Sequence, residues 1–285
     1  MIARTFETKA ELARFVLERA AELHPAIRFA PGEDELTHRY TYTDSSLSGT
    51  LFLQSLWHDY SRTGELNRVI DFLNAQFKAA EYVAQRSLNG SIGIDLFNIY
   101  PSLRAADFFK HQKDGEQMLK SADVPSMQTA FIENHISYYL FLTKQLIEPV
   151  LVYMNEEEIK QQAFVNLRKR GWNSVHMIMP SPTSNGHFQV FAKSDYPFQH
   201  QFFLPDLSQG HLPPNFLIAV PAQDMAIVYV AKNRMDTLEL ARAQAKHSGF
   251  LELVQMAYQH EPKPISNQIF WANGDRRLRL SLSKP

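Results

Sequence analysis

The run "NFLIAVPAQDMAIVYVAKN", residues 215–233, limits what this chain can fold into more than any other stretch. Two apolar segments, 216–220 and 225–231, flank Pro221, Ala222, Gln223 and Asp224. Neither segment alternates apolar with polar residues, so both faces of both strands are expected to be covered. Proline cannot donate to a ladder and Asp serves readily in turns, so 221–224 are expected to turn the chain between antiparallel strands. In that reading the Asp224 carboxylate accepts a backbone N–H of the turn. A second reading sets Gln223 and Asp224 at a cleft on the sheet rim.

Four further strand pairs follow the same logic. "AIRFA" and "THRYTYT" flank "PGEDEL", and "SYYLFLTKQ" and "EPVLVYM" lie either side of a short link. "SVHMIM" and "GHFQVFAK" flank "PSPTSN". "ISNQIFWA" and "RRLRLSL" flank Asn273-Gly274-Asp275, and Asn-Gly is the strongest short hairpin signal. Hairpins imply antiparallel pairing.

Helices are marked by their caps. Thr8 with Glu11 forms a capping box ahead of Leu12, Phe15, Val16, Ala20 and Leu23, and His24-Pro25 stops that helix. Asn155 opens a second, with Glu156, Glu157 and Glu158 in its first turn, Arg168, Lys169 and Arg170 in its last, and Gly171 beyond. Asp236 with Glu239 is expected to start a third. A fourth, over 65–85, carries Leu66, Val69, Ile70, Leu73, Phe77, Ala80 and Ala84 at helical spacing. Strand pairs set apart from helices indicate an α+β fold of mainly antiparallel pairs covered by helices.

The 285 residues allow two modest domains or one large one. The division expected is an N-terminal helix/strand module over 1–92 and a C-terminal α+β domain over 93–285. "ARFVLERAAELHPAIRFA" and "AFVNLRKRGWNSVHMIM" each run from helix into strand, which suggests two modules of similar helix–strand–strand topology. The polar segment 110–128 is expected to be a long loop, and is a second place where domains would separate.

Hydrophobic residues make up 45% of the chain, enough for a packed core, which argues against disorder. The 29 basic and 30 acidic residues give a formal net charge of −1, so no global field draws the chain to nucleic acid or an anionic membrane. Cysteine is absent, which excludes disulfides, thiolate nucleophiles and Cys-based metal sites. The N-terminus has no uninterrupted apolar run and is not read as a secretory signal. The longest apolar runs fall far short of the roughly 20 residues that span a bilayer. These points set the expectation of a cytoplasmic protein without a membrane partner.

No phosphate loop, nucleophile elbow, His-Glu-x-x-His or calcium loop occurs in the chain. The eleven histidines do not cluster; His58-Asp59, Glu133-Asn134-His135 and His187 come nearest to acid/base or metal patterns. No metal and no cofactor are expected. Asn166 lies three residues after Ala163 and seven after Ile159, on the apolar stripe of its helix, so its amide is expected to be buried and bonded to backbone. Arg277 and Arg279 share a strand face beside Phe270 and Trp271, a mix found in single-strand nucleic-acid binders. Charged strand residues also guard sheet edges, and with no supporting net charge that reading is preferred.

Three segments stand in fixed order: "NIYPSLR" (98–104), "FVNLRK" (164–169) and "LIAVPAQDMAIVYVAKN" (217–233), closed by "PISNQIFWANGDRRLRL". Together they resemble the YtpQ-like family of uncharacterised bacterial proteins. The resemblance falls on Tyr100, Pro101, Arg104, Asn166, Leu167, Arg168, Pro221, Gln223 and Asp224. It implies a fold and a bacterial cytoplasmic setting, and no reaction. Segments 110–128 and 180–186 have no correspondence in the pattern.

The function expected is a non-catalytic protein- or peptide-binding or regulatory module, with Tyr138, Tyr139, Trp172 and Trp271 as exposed-looking aromatics for an interface. The alternative is an enzyme with a cleft built from Arg104, Gln223 and Asp224, or a His–acid pair. Convergence of Arg104, Asn166 and Asp224 in one concave pocket would favour the enzyme.

Overall fold

The computed structural model of the protein describes residues 6–43, 48–64, 69–74, 76–78, 82, 93–112, 115–135, 139–183, 185–192, 194–261 and 263–282. The fold is α+β, and the strand ladders among the described residues are antiparallel. The chain divides into two compact units, Met1–Ile92 with Ser137–Tyr139, and Gly93–Ile136 with Leu140–Pro285.

In the first unit, α1 (Lys9–Leu23) begins at the expected capping box. Thr8 Oγ1 accepts from Glu11 N at 3.2 Å, and Glu11 Oε2 accepts from Thr8 N at 3.1 Å. Its buried stripe of Leu12, Val16 and Ala20 packs with Ile27, Leu51, Leu56, Leu73 and Phe77. Strands β1 (Ile27–Pro31), β2 (Thr37–Tyr42) and β3 (Ser48–Phe52) form a meander. A helix unmarked in the sequence, α2 (Gln54–Thr63), follows and stops at Gly64, whose φ of 67° is the left-handed cap. Of the helix expected over 65–85, residues 69–74, 76–78 and 82 are helical, and Val69, Leu73 and Phe77 are buried. The rest of that segment lies outside the described residues.

The second unit holds two sheets. In the first, β4 (Ile99–Ala105) pairs with β6 (Met127–Asn134), which also pairs with β5 (Lys120–Ser121) and β7 (Tyr139–Phe141), whose Leu140 and Phe141 belong to this unit. Segment 110–128 is therefore no domain separator. Part of it forms β5, and the strands on either side of it pair with one another. Helix α3 (Glu156–Arg170) packs on β4; Asn155 caps it as expected and also closes a capping box with Glu158, and Gly171 stands at φ 85° beyond its end.

"EPVLVYM" is not a strand. Thr143 caps a single helical turn, Lys144–Ile147, and the chain continues in turns. Leu151 N bonds Ile147 O and Met154 N bonds Val150 O. Those local bonds satisfy the backbone, and burial falls on Ile147 and Val150, three residues apart, rather than on alternate residues.

The second sheet has six strands in the order β13-β12-β10-β11-β9-β8. They are β8 (Met177–Pro180), β9 (Gly186–Ala192), β10 (Asn215–Ala222), β11 (Met225–Ala231), β12 (Ile269–Asn273) and β13 (Arg276–Arg279). Every residue of β10 is buried, as its unbroken apolar run predicts. One face packs through Leu217, Ile227, Tyr229 and Trp271 on α4 (Leu238–His247) and α5 (Phe250–His260). On the other face, Phe191 and Phe270 meet an aromatic group of Trp172, Phe202 and Phe203. Helix α4 starts one residue later than expected. The Thr237 hydroxyl accepts from Leu240 N at 3.2 Å, while Asp236 pairs with Arg234 at 2.6 Å.

The order helix then hairpin recurs, α1 before β1–β2 and α3 before β8–β9. The two hairpins continue differently, β2 into β3 and β9 into β11. Among the described residues no helix is long and apolar enough to cross a membrane.

Candidate functional site

The opening hairpin is tighter than expected. Pro221 and Ala222 belong to β10, Ala222 pairs with Met225, and Gln223 and Asp224 alone make the turn. The register slips between Ala219 and Ala222, a bulge that accommodates a residue without an N–H. The Pro221 carbonyl accepts from Ile265 N at 2.9 Å, and Gln223 N donates to Lys263 O at 3.0 Å. Asp224 is exposed, and among the described residues its carboxylate receives no hydrogen bond, contrary to expectation. A two-residue turn closes on its own ladder and leaves the side chain no task.

Arg104 is only 3% exposed. Its Nη1 donates to Ser102 Oγ and to Leu103 O, both at 2.8 Å, and its guanidinium lies 5.5 Å from the Phe108 ring centre and 5.4 Å from that of Phe141. Asn166 is 5% exposed and bonded to backbone as its place on the stripe predicts. Its Nδ2 donates to Leu96 O at 2.8 Å and Ile99 O at 3.0 Å, and its Oδ1 accepts from Gln162 Nε2. Asn166 therefore fixes the entry of β4, whereas Arg104 lies five residues further on, roughly 16 Å along the strand. Arg104, Asn166 and Asp224 each have their own neighbours, two buried and one at an exposed hairpin tip. Asn166→Ala is expected to lower stability by about 1–3 kcal/mol, the cost of leaving buried carbonyls unsatisfied, measurable by urea denaturation.

Tyr100 joins a different group. Its ring lies 6.1 Å from that of Tyr196, over which Arg170 sits at 5.4 Å, and Arg170 pairs with Asp195. Burial, with the nearby Asp195 charge, pushes the Tyr196 hydroxyl up to about 12, and burial raises Tyr100 as well. Neither phenol ionises near neutrality. Arg168 pairs with Asp206 at 2.6 Å at the helix end, and Pro101 is a buried strand residue opposite Phe131. Glu133 and His135 approach to 3.3 Å, and His187 meets Gln189 at 3.0 Å. The side chains of His58 and Asp59 lie outside the described residues.

Two features escaped sequence reasoning. One is the short 3-10 turn Gln199–Phe202, every residue of which is buried. Gln199 Nε2 donates to Gln223 O, His200 Nε2 lies 2.9 Å from Thr129 Oγ1, Gln201 Oε1 accepts from Asn173 N, and Phe202 O accepts from Arg277 Nε. Four side chains or carbonyls in succession thus tie the turn to β11's hairpin, β6, the end of α3 and β13. "FQHQFF" has neither a period nor a motif, and its partners lie far away in sequence.

The other is the contrast between the two edges of the six-stranded sheet. Edge β13 carries Arg276, Arg277 and Arg279 in four residues, with Arg277 bonded to Phe202 O and Ser208 Oγ and Arg279 to Ser126 Oγ. Edge β8 and its approach carry Val175, Met177 and Ile178, all exposed, with Ile178 at 63%. Residues 174–180 hold no Lys, Arg, Asp or Glu. The aromatics expected at an interface are elsewhere. Trp271 is buried, Trp172 packs edge-on against Phe191 and Phe202, and Tyr138 lies outside the described residues. Their large apolar area was better used in the core than at the surface.

The chain is similar to a UPF0354 protein of Listeria welshimeri, 24% identical over 209 residues, which cover 72% of this chain and 73% of the relative. It is also similar to a UPF0354 protein of Listeria innocua, 25% identical over 213 residues, 73% of this chain and 75% of the relative. Both are bacterial proteins of an uncharacterised family. No family model and no solved structure matches the chain.

Proposed function

We propose that the protein is a non-catalytic, bacterial cytoplasmic module of the YtpQ-like kind that takes up an extended apolar segment of a protein partner along β8. One observation carries this reading: a single sheet has one edge blunted by arginines and the other left apolar. Exposed edges are templates for pairing, and proteins ordinarily blunt them with charge. An added strand would gain main-chain hydrogen bonds along β8, with its alternate side chains set beside Met177 and Met179 on one face and Ile178 on the other. Methionine suits a surface that must adapt to varied apolar side chains. The absence of charge over 174–180 favours an uncharged segment. Nucleic acid is not proposed, since Arg277 is already bonded within the fold and the net charge is −1.

A seven-residue synthetic peptide of alternating Val and Thr tests this. Amide hydrogen exchange should slow at 175–179 as the peptide is added, and a peptide with Pro at alternate positions should have no effect. Ile178→Lys should weaken the interaction at least tenfold while changing stability by no more than about 0.5 kcal/mol, as for an exposed position. Equal protection in that variant, or none in the wild type, removes the proposal.

A further inference from the structure

The turn Gln199–Phe202 holds an imidazole in an unusual setting. His200 is 2% exposed and meets three elements of its unit. From β6, Thr129 Oγ1 lies 2.9 Å from His200 Nε2. From the β5–β6 connection, Asp123 Oδ2 lies 3.7 Å from Nε2 and accepts from Thr129 Oγ1 at 3.0 Å. From α3, the Phe164 ring stands edge-on at 5.4 Å. Because the Thr129 hydroxyl gives its proton to Asp123, it accepts from His200, which places the imidazole proton on Nε2. Nδ1 is then a bare acceptor, buried, with no hydrogen-bond partner among the described residues.

We propose that His200 is an acid-operated latch: neutral, it holds the Gln199–Phe202 turn on the sheet of β4 and β6; protonated, it releases the turn. The imidazolium needs acceptors for two N–H groups. Nε2 has one in Thr129, and Nδ1 has none, so a charged ring in place would carry an unsatisfied donor. The turn can meet that need by swinging Nδ1–H out to water. The groups facing His200 are few. Asp123 is the charged one and favours the imidazolium. Glu133 lies four residues beyond Thr129 on the same strand face, and the facing positions of β4 are Ile99, Pro101 and Leu103.

Burial outweighs the attraction of Asp123 and lowers the His200 pKa. Burial also pulls Asp123 upward, but its polar contacts with His200, Ser121 and Thr129 win and hold it at about 2. The sign follows. An imidazole whose folded pKa is depressed contributes stability in full above its unfolded value near 6.5, and that stability falls as pH drops below it. Asp123 keeps its charge throughout that window, so acidification between about pH 6.5 and 4 acts on His200. Release frees Gln199 from the carbonyl of Gln223 and Phe202 from Arg277, and so loosens the hairpin and β13 together.

The experiment is amide hydrogen exchange at 199–203 in the full chain at pH 7 and pH 5, expressed as protection factors so that intrinsic rates cancel. Wild-type protection should fall at least tenfold between them. In His200→Gln, whose amide still reaches Thr129 and does not titrate, protection should be the same at both pH values. Unchanged protection in the wild type overturns the latch, and so does an equal fall in the variant. Should His200→Gln not fold, NMR titration of the wild-type imidazole decides. Ring titration concurrent with loss of protection supports the latch, and titration of a ring within a fully protected turn overturns it.

Discussion

Phe202→Ala is expected to lower the stability of the second unit by about 3–5 kcal/mol, the range for emptying a large aromatic site in a core. Phe202 is fully buried, with ring centres of Phe191 at 4.9 Å, Trp172 at 5.2 Å and Phe198 at 6.3 Å. Phe191 and Trp172 come from other segments and Phe198 from the cap of the same turn, so the neighbourhood cannot collapse around the void by moving one side chain. The substitution also unsettles the carbonyl that accepts from Arg277 Nε at 2.7 Å. Urea unfolding followed by near-ultraviolet circular dichroism reads the change. Two-state analysis belongs to this unit's own transition, since two units need not unfold together. A loss under about 1 kcal/mol would mean that the turn is not the junction described above.

Gly186→Ala is the second large effect, at the upper end of the about 1–3 kcal/mol typical of overpacking. A Cβ on Gly186 would stand 2.3 Å from Val230 O and 2.7 Å from the Tyr229 ring. The carbonyl is fixed by its strand. The ring is hemmed by Phe188 and Phe250, and its hydroxyl bonds Asn185 O and Gln244 Oε1. Neither neighbour yields without breaking something else. A thermal melt of the variant checks this, with a drop of less than 2 °C counting against it.

Much of this architecture was legible where the signal is local. Thr8 shows its capping box, and Asn155 its acidic first turn, within four residues of sequence, and Gly274 turns the last hairpin at φ 57°. Asn166 could be placed because a polar residue on an apolar helical stripe has few options. Reading failed where the decision was close or distant. Asp236 and Thr237 are both good caps, and only the backbone chooses between them. Residues 148–154 read as a strand by composition, yet the cap at Thr143 had already committed the chain to turns. Neither the burial of Arg104 nor that of His200 is marked in the sequence. Phe141 is brought to Arg104 across the sheet, and Thr129 to His200 by the packing of a distant turn on that sheet. Nor does a sequence say which strand ends a sheet, so the difference between β8 and β13 emerges only from strand order.

That difference has a bearing on stoichiometry. A sheet open on both sides can recruit neighbours without limit, and head-to-tail addition that never closes yields fibres. On the proposed role of β8, an incoming strand finds one seat on the six-stranded sheet. Once β8 is covered, the far side of the sheet offers arginines already engaged with Phe202, Ser208 and Ser126, so a second strand has nothing equivalent to join. Binding should saturate at one segment per chain, and raising the concentration should fill seats without lengthening an assembly. With β8 in its proposed role, the arginines of β13 act at a distance from it, as the stop that keeps a sticky sheet countable.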